Sequence, residues 1–207
     1  MKPIIRWAFI RIKVKRGRKM SKNRWLGVWN TKTIVTVAIG AALFGVLMNY
    51  GGIPIFTNTS LTTAMIVPVV VGAMCGPLPA AIAAGVGNFV ADLIGGWGIY
   101  PAWAIANAVA GFFVGALPLY GAYIDEGKFE VKHMLWYVLC VVVGNAIAFG
   151  VVAQALSVVF EGGDMNLSLL QGVYASVGNI LVELVIGIPL IKLLANRNKA
   201  RTNLTEE

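Results

Sequence analysis

The chain has 207 residues, of which 58% are apolar and only 13% are charged, and its net charge is +8. A soluble domain carries about a quarter charged residues, so this chain has too little polar surface to be a soluble globular protein. Its mean hydropathy of +0.77 and its 24 glycines are typical of packed membrane helices. The composition therefore predicts an all-α polytopic membrane protein.

The motifs of the common enzyme classes are missing from the sequence. It contains no G-x-x-x-x-G-K-[ST], no G-x-S-x-G and no H-E-x-x-H, which argues against a P-loop ATPase, a serine hydrolase and a zinc peptidase. The one histidine is His133, and Cys75 and Cys140 are far apart without a C-x-x-C. Buried free thiols are therefore favoured over a disulfide or metal site. We predict no enzyme activity, no cofactor and no metal.

Residues 1–30 form a basic N-terminal segment with interleaved apolar residues. Eleven of the seventeen Lys and Arg residues lie in residues 1–32. We predict that this segment lies on the inner headgroup surface, with the lipid bilayer rather than nucleic acid as its partner. Alternatively, Met20 is the true start of the chain, because the residues after it are already an adequate basic lead-in.

Six apolar segments follow, and most reach the roughly 20 residues needed to cross a bilayer. The second segment is short, so it is either tilted or partly re-entrant. Residues 31–195 are predicted to form one six-helix membrane domain, and residues 196–207 form a polar cytoplasmic tail. The segments are 33–50, 61–75, 79–95, 101–120, 134–159 and 169–194.

The distribution of basic residues predicts the topology of this bundle. In a six-span arrangement the first, third and fifth loops share one side of the membrane, and they contain no Lys or Arg. All seventeen basic residues then fall on the other side. Because basic loops favour the cytoplasm, both termini are predicted to be cytoplasmic in a multi-pass plasma-membrane protein.

Small residues repeat at helical spacing in the first segment. The stretch "AIGAALFG" places Ala38 and Ala42 four residues apart, and likewise Ala41 and Gly45. Such spacing lets two helix backbones approach closely in a membrane. The pattern predicts either packing within the bundle or docking to another membrane subunit.

Three similar heptapeptides place amides inside apolar segments. "VGNFVAD" (86–92) and "VGNILVE" (177–183) each carry an acid four residues after the Asn, whereas "VGNAIAF" (143–149) lacks the acid. Residues four apart lie on one helix face. Because ionisable groups are costly in hydrocarbon and usually face protein or water, several helices are predicted to turn a polar face toward a shared interior.

Most of these polar side chains, together with several aromatic ones, fall in the outer halves of the predicted spans. Such a set suits a polar, partly flat ligand, with amides and acids for hydrogen bonds and aromatic rings for stacking. The apolar first loop could cover the site. The candidate residues are Asn88, Asp92, Trp97, Tyr100, Trp103, Asn107, Asn145, Gln154, Gln171, Tyr174, Asn179 and Glu183.

Each group has a simpler interpretation that stays open. The Trp and Tyr residues are equally consistent with an interfacial aromatic belt. The Asn residues are consistent with hydrogen bonds that hold helices together. Asp92 could lie among headgroups, and Glu183 could pair with another helix and serve folding alone.

The sequence resembles the substrate-binding S component of energy-coupling factor (ECF) transporters over about residues 30–195. The resemblance rests on the six short Gly- and Ala-rich segments, on "AIGAALFG" and on "GNFVADLIGGWGIYPAWAIANAVAGFFVGALP". It is closest to the riboflavin-type and uncharacterised S components. The stretch that joins an Asp, two glycines and several aromatic residues is its more specific part.

The resemblance implies a concrete function. S components capture a vitamin or related micronutrient at the extracellular side and pair with a transmembrane coupling subunit (the T component) and two cytoplasmic ATPases. It also implies that the coupling subunit contacts Ala38 and Ala42. It adds the first loop to the ligand contacts, namely Asn49, Tyr50 and Asn58.

The resemblance leaves the ligand open among a flavin, a cobalamin and another vitamin precursor. Nickel and cobalt S components are disfavoured because their N-terminal Met-x-His is absent, and thiamine-type members are less similar in their aromatic pattern. Two other functions remain as alternatives. One is a self-contained secondary transporter that uses Asp92 or Glu183 as an ion-coupling site, and the other is an assembly subunit without a ligand.

Overall fold

The structure, a computed structural model, describes residues 26–27, 29–57, 59–162 and 164–203. The basic segment before residue 26, including Met20, and the last four residues lie outside the described residues, as does Asn58. The helices are α1 (Thr31–Tyr50), α2 (Ile66–Cys75), α3 (Pro77–Gly95), α4 (Pro101–Val114), α5 (Val131–Ile147), α6 (Ala153–Leu156), α7 (Met165–Val182) and α8 (Ile188–Asn203).

The described residues contain five helical segments that are long and apolar enough to cross a membrane. The predicted second segment is a shorter apolar helix, Thr63–Cys75, which includes α2. The polytopic helical architecture is therefore confirmed. The five long segments are Thr31–Tyr50, Pro77–Gly95, Pro101–Tyr120, Val131–Phe160 and Met165–Arg201.

The first loop is not irregular, as the all-α prediction implied, but forms a β-hairpin. Strand β1 (Gly52–Phe56) pairs antiparallel with strand β2 (Thr59–Thr62), and a bulge interrupts the register near Phe56. The hairpin forms where β-branched residues and Phe replace the Ala and Gly of the neighbouring helices. These strands were not predicted from the sequence.

Contacts between helices fix the directions of the chain. Gly85 of α3 faces Ala108 of α4, and Gly111 of α4 faces Ala80 of α3, so these two helices are antiparallel. We call the end of the bundle that carries β1, β2 and the turn at 96–100 the hairpin end. The opposite end, where α1 begins and α8 ends, is the terminal end.

Helices α1 and α3 run in the same direction and pack with almost no space between them. A Cβ added at Gly45 would lie 2.6 Å from a methyl carbon of Val90, and one added at Gly87 would lie 2.6 Å from the Cβ of Phe44. Only glycine permits this approach, because any larger side chain would force the helices apart. The small residues of α1 therefore have a packing role within the bundle.

Two of the long spans contain π-helical turns. Ala148–Val152 and Ser157–Glu161 flank α6, and Glu183–Gly187 joins α7 to α8. A π-helical turn disturbs the regular backbone ladder and often occurs at functional sites. Two carbonyls in these turns accept hydrogen bonds from side chains: Gln154 Nε2 donates to Phe149 O over 2.7 Å, and the Tyr137 hydroxyl donates to Glu183 O over 3.2 Å.

The apolar core has two parts. One surrounds Phe44, Met65 and Phe149, toward the hairpin end. The other surrounds Tyr137 and Ile191, toward the terminal end. The buried polar side chains lie beside these two parts of the core.

Candidate ligand site

A chain of polar side chains connects α3 and α4 near the hairpin end. Asn107 Nδ2 donates to Asn88 Oδ1 over 2.9 Å, and Asn88 Nδ2 donates to Asp92 Oδ2 over 3.4 Å. Both amides are only 2% exposed, whereas the Asp92 carboxylate is half-buried. A buried hydrogen-bonded chain thus leads from the interior to a partly accessible carboxylate.

Asp92 also fixes the start of α4. The backbone N–H of Tyr100, which precedes the helix, donates to Asp92 Oδ2 over 3.0 Å. The first N–H groups of a helix lack partners within it, and a carboxylate there is favourable. Pro101 at the first helical position has no N–H to satisfy. The turn G-G-W-G-I-Y that leads from α3 to α4 is thus held to α3 by the hydrogen bond between Tyr100 N and Asp92.

The inner side of α4 carries Trp103, which extends the site toward α5 and α6. Its carbonyl accepts a hydrogen bond of 3.0 Å from Asn107 Nδ2, and its ring lies 5.9 Å from that of Phe149 between centroids. Gln154, 4% exposed, uses its amide nitrogen on Phe149 O. The buried Oε1 of Gln154 has no hydrogen-bond partner among the described residues.

The contacts that attach the β-hairpin to α7 include a stacked ring pair and a side-chain hydrogen bond. The rings of Phe56 and Tyr174 are stacked with centroids 4.6 Å apart and planes 16° apart. Gln171 Nε2 donates to Thr57 O over 3.0 Å. The hairpin therefore reaches across from α1 to α7 at this end of the bundle. Phe56 and Phe149 were not among the predicted site residues, and their apolar type gave no signal of a site.

The structure gives other predicted residues a packing or surface position. Asn49 Nδ2 donates to Gly45 O over 3.0 Å and to Ala91 O over 2.9 Å, so this amide holds α1 against α3. Tyr50 is 76% exposed, and Trp97 is also exposed. Neither ring belongs to the buried chain of amides.

Two further candidates lie deeper along α7. Asn179 is buried at 7% exposure. Glu183 is 0% exposed, and its carboxylate accepts a 2.7 Å hydrogen bond from Asn145 Nδ2 on α5. Asn88 and Asn107 bond instead to Asp92 and to each other. The polar side chains therefore form two clusters, one around Asp92 at the hairpin end and one around Glu183.

The small residues of α1 divide between two faces. Ala41 and Gly45 are buried, and Gly45 packs against Val90 of α3. Ala38 and Ala42 are exposed. Of the two pairs predicted to dock another subunit, the structure thus places one inside the bundle and leaves the other on its surface. Ala38 is three residues from Ala41, and Ala42 is three residues from Gly45. Residues three apart lie about 60° apart around a helix, so Ala38 and Ala42 fall outside the face of α1 that contacts the bundle.

The comparison with known families adds to this geometry. Residues 28–196 match a family described as the ECF-type riboflavin transporter, S component. The chain belongs to the S-component family of ECF transporters. It is therefore a membrane-embedded substrate-binding component of a transporter.

Individual relatives of this S component cover most of its length. It is 32% identical over 179 residues to a UPF0397 protein of Aliivibrio fischeri (strain MJ11), covering 86% of this chain and 97% of that protein. It is also 32% identical to a UPF0397 protein of Vibrio vulnificus (strain YJ016), with 86% and 98% covered. Each match therefore covers more than four fifths of this chain.

A solved structure supports the fold. The ThiT protein of Listeria monocytogenes superposes on this S component with a TM-score of 0.54, covering 80% of this chain and 96% of ThiT. Its sequence identity is only 20%, so the likeness concerns the fold and not the ligand.

Proposed function

We propose that this S component captures a vitamin or related micronutrient at the hairpin end for ATP-driven uptake. A T component and two cytoplasmic ATPases supply the coupling and the ATP hydrolysis. The observation that carries this proposal is the buried chain of Asn107, Asn88 and Asp92, in a protein whose family match spans the membrane domain. Ionisable groups within membrane spans usually mark a ligand or ion pathway, and this chain ends at a half-buried carboxylate.

The proposed orientation has the hairpin end outside. With Thr63–Cys75 counted as a sixth span, the three loops at the hairpin end contain no Lys or Arg. Basic residues favour the cytoplasmic side. Both termini are then cytoplasmic in a multi-pass plasma-membrane protein, and the ligand enters from the exterior.

The proposed ligand contacts combine amides with aromatic rings. Gln154 supplies a buried acceptor without a partner among the described residues, Asp92 a half-buried carboxylate, and Trp103 an aromatic ring that lies against Phe149. The hairpin, attached to Tyr174, covers the site. Such a set suits a polar, partly flat molecule, and the family description makes a flavin the first ligand to test, ahead of a cobalamin or another vitamin precursor.

The ligand site is tested by titrating the purified protein with riboflavin and by mass spectrometry of co-purified small molecules. Asn107→Leu is expected to weaken binding, because it removes a buried amide that bonds to Asn88. Asn198→Ala is the matched control: its amide donates to Ile124 O at the terminal end, far from the site. Unchanged affinity in Asn107→Leu would show that the site lies elsewhere.

The proposed contact with the T component is the exposed small-residue pair of α1. Ala38→Trp and Ala42→Trp are expected to reduce co-purification with an ECF module, because a large side chain prevents close helix approach. Val177→Trp, on the exposed face of α7, is the matched control. Normal assembly of both Ala variants would remove this contact.

The alternative function is a self-contained secondary transporter, and the buried carboxyl of Glu183 favours it over an assembly subunit. Uptake into vesicles separates it from the S-component proposal. The S-component proposal expects no uptake by the lone chain, and uptake with the ECF module and internal ATP. Uptake by the lone chain under an ion gradient would contradict it.

A further inference from the structure

The carboxyl of Glu183 lies where two membrane spans cross at their centres. Glu183 is the nineteenth of the 37 residues in Met165–Arg201, and Asn145 is the fifteenth of the 30 in Val131–Phe160. Both side chains are 0% exposed. The distance between Asn145 Nδ2 and Glu183 Oε2 is 2.7 Å. An acid and an amide therefore meet in the middle of the bundle.

A count of donors shows that this cluster lacks one hydrogen. The Asn145 amide has two hydrogens, and they go to Val141 O at 2.9 Å and to Glu183 Oε2. The Tyr137 hydroxyl donates its hydrogen to Glu183 O at 3.2 Å. Two buried acceptors, Asn145 Oδ1 and Glu183 Oε1, then have no partner among the described residues. Rotating the amide by 180° does not help, because its oxygen would then face Val141 O.

The backbone at Glu183 accepts a hydrogen bond from Tyr137. The π-helical turn Glu183–Gly187 begins at the acid, and its first carbonyl is the one that Tyr137 uses. A Cβ added at Gly187 would lie 2.8 Å from the Tyr137 oxygen. The tyrosine hydroxyl is therefore held at the carbonyl of Glu183 and cannot also serve its carboxyl.

No cation compensates the acid among the residues that the structure describes. The elements packed against the Glu183–Gly187 turn are α2, α5, α7 and α8. Of their ionisable side chains, Tyr137 of α5 contacts the turn at Glu183 O, and Lys192, the cationic residue of α8 nearest to the turn in sequence, is exposed. Burying a carboxylate without a cation is strongly unfavourable, and such groups neutralise instead.

We propose that Glu183 is a proton-binding site and that the folded protein carries it as a neutral carboxylic acid. One proton on Oε1 removes the buried charge and converts one unpartnered acceptor into a donor. Asn145 Oδ1 is the acceptor that this donor reaches, so acid and amide form two reciprocal hydrogen bonds across α5 and α7. This proton site is independent of the proposed ligand site at the hairpin end.

Infrared spectroscopy of the full chain in detergent or lipid at neutral pH tests the proposal directly. A protonated carboxyl absorbs at a higher frequency than a carboxylate. Labelling the glutamates with ¹³C should shift one carboxylic-acid band, and Glu183→Gln should abolish it. Glu130→Gln is the matched control, because a hydrogen bond from Lys132 lowers the pKa of the exposed Glu130, and the band should persist.

A second variant tests the pairing and does not depend on whether Glu183→Gln folds. Asn145→Leu removes the amide, so the acid band should persist and move to higher frequency as its hydrogen bonds are lost. Absence of a glutamic-acid band in the wild-type protein, or its survival in Glu183→Gln, would overturn the proton site. A band that does not move in Asn145→Leu would overturn the reciprocal pair.

Discussion

The two polar clusters of this bundle come from the same sequence pattern but differ in environment. At the hairpin end, Asn88 donates to Asp92 within its own helix, and the carboxylate is half-buried and caps α4. At the centre, the acid of "VGNILVE" is bound by Asn145 of the third heptapeptide, "VGNAIAF". The copy without an acid supplies the amide for an acid on another helix. Identical spacing therefore gives an open site in one case and a closed pair in the other.

This difference separates the proposed ligand site from the proposed proton site. Asp92 has a half-buried carboxylate, so a ligand at the hairpin end has a group to contact. Glu183 is 0% exposed, so exchange with a ligand would require the helices to part. Substitutions in the central cluster should therefore change stability, whereas substitutions at the hairpin end should change ligand affinity.

Asn145→Leu should destabilise the protein by about 1–3 kcal/mol, because it leaves the Glu183 carboxyl without its donor. Thermal unfolding in detergent, with and without riboflavin, measures this change. Ligand affinity at the hairpin end should stay at the wild-type value. A variant that keeps its stability but loses the ligand would reverse the roles assigned to the two clusters.

Asp92→Asn should weaken ligand binding about tenfold, which corresponds to about 1.4 kcal/mol, because a charge-assisted contact becomes a neutral one. Titration of the purified protein measures the affinity. Glu126→Gln, in the turn at the terminal end, removes a charge of the same sign and serves as the control. Equal effects of the two substitutions would point to net charge rather than to a contact.

Phe56→Ala should release the ligand faster, because the stacked pair with Tyr174 holds the hairpin to α7 and is worth about 1 kcal/mol. Stopped-flow displacement measures the rate of release. Ile53→Ala, on the exposed outer part of the same strand, is the control. If both variants release the ligand at the wild-type rate, the hairpin does not retain it.

Riboflavin 5′-phosphate should bind about fivefold more weakly than riboflavin, a difference of about 1 kcal/mol. The sequence has no Lys or Arg between Lys32 and Lys128, so a phosphate near Asp92 meets an acid and no basic side chain. Competition titrations at low and high salt measure the ratio, and salt should reduce it. Tighter binding of the phosphate would place the ligand away from Asp92.

Much of the fold follows from the sequence, because apolar length fixes where spans begin and end. The contact between Asn88 and Asp92 is also predictable from the sequence, because the two residues are one turn apart in the same helix. The partner of Glu183 was not predictable, since it depends on how α5 and α7 cross. Nor was the division of α1 into a buried and an exposed face: in a membrane the outside is as apolar as the core, so hydrophobic periodicity no longer marks the inner face.

The glycine contacts between α1 and α3 have a mechanical consequence. Gly45 and Gly87 bring the two helices together with no space for a side chain, and Asn49 of α1 donates a hydrogen bond to Ala91 O of α3. We therefore expect the two helices to move as one rigid body. A force applied to the outer face of α1 at Ala38 would be transmitted to Asn88 without first compressing the bundle. A neighbouring subunit that tilts α1 would therefore tilt Asn88 and Asp92, which lie on α3, by the same angle.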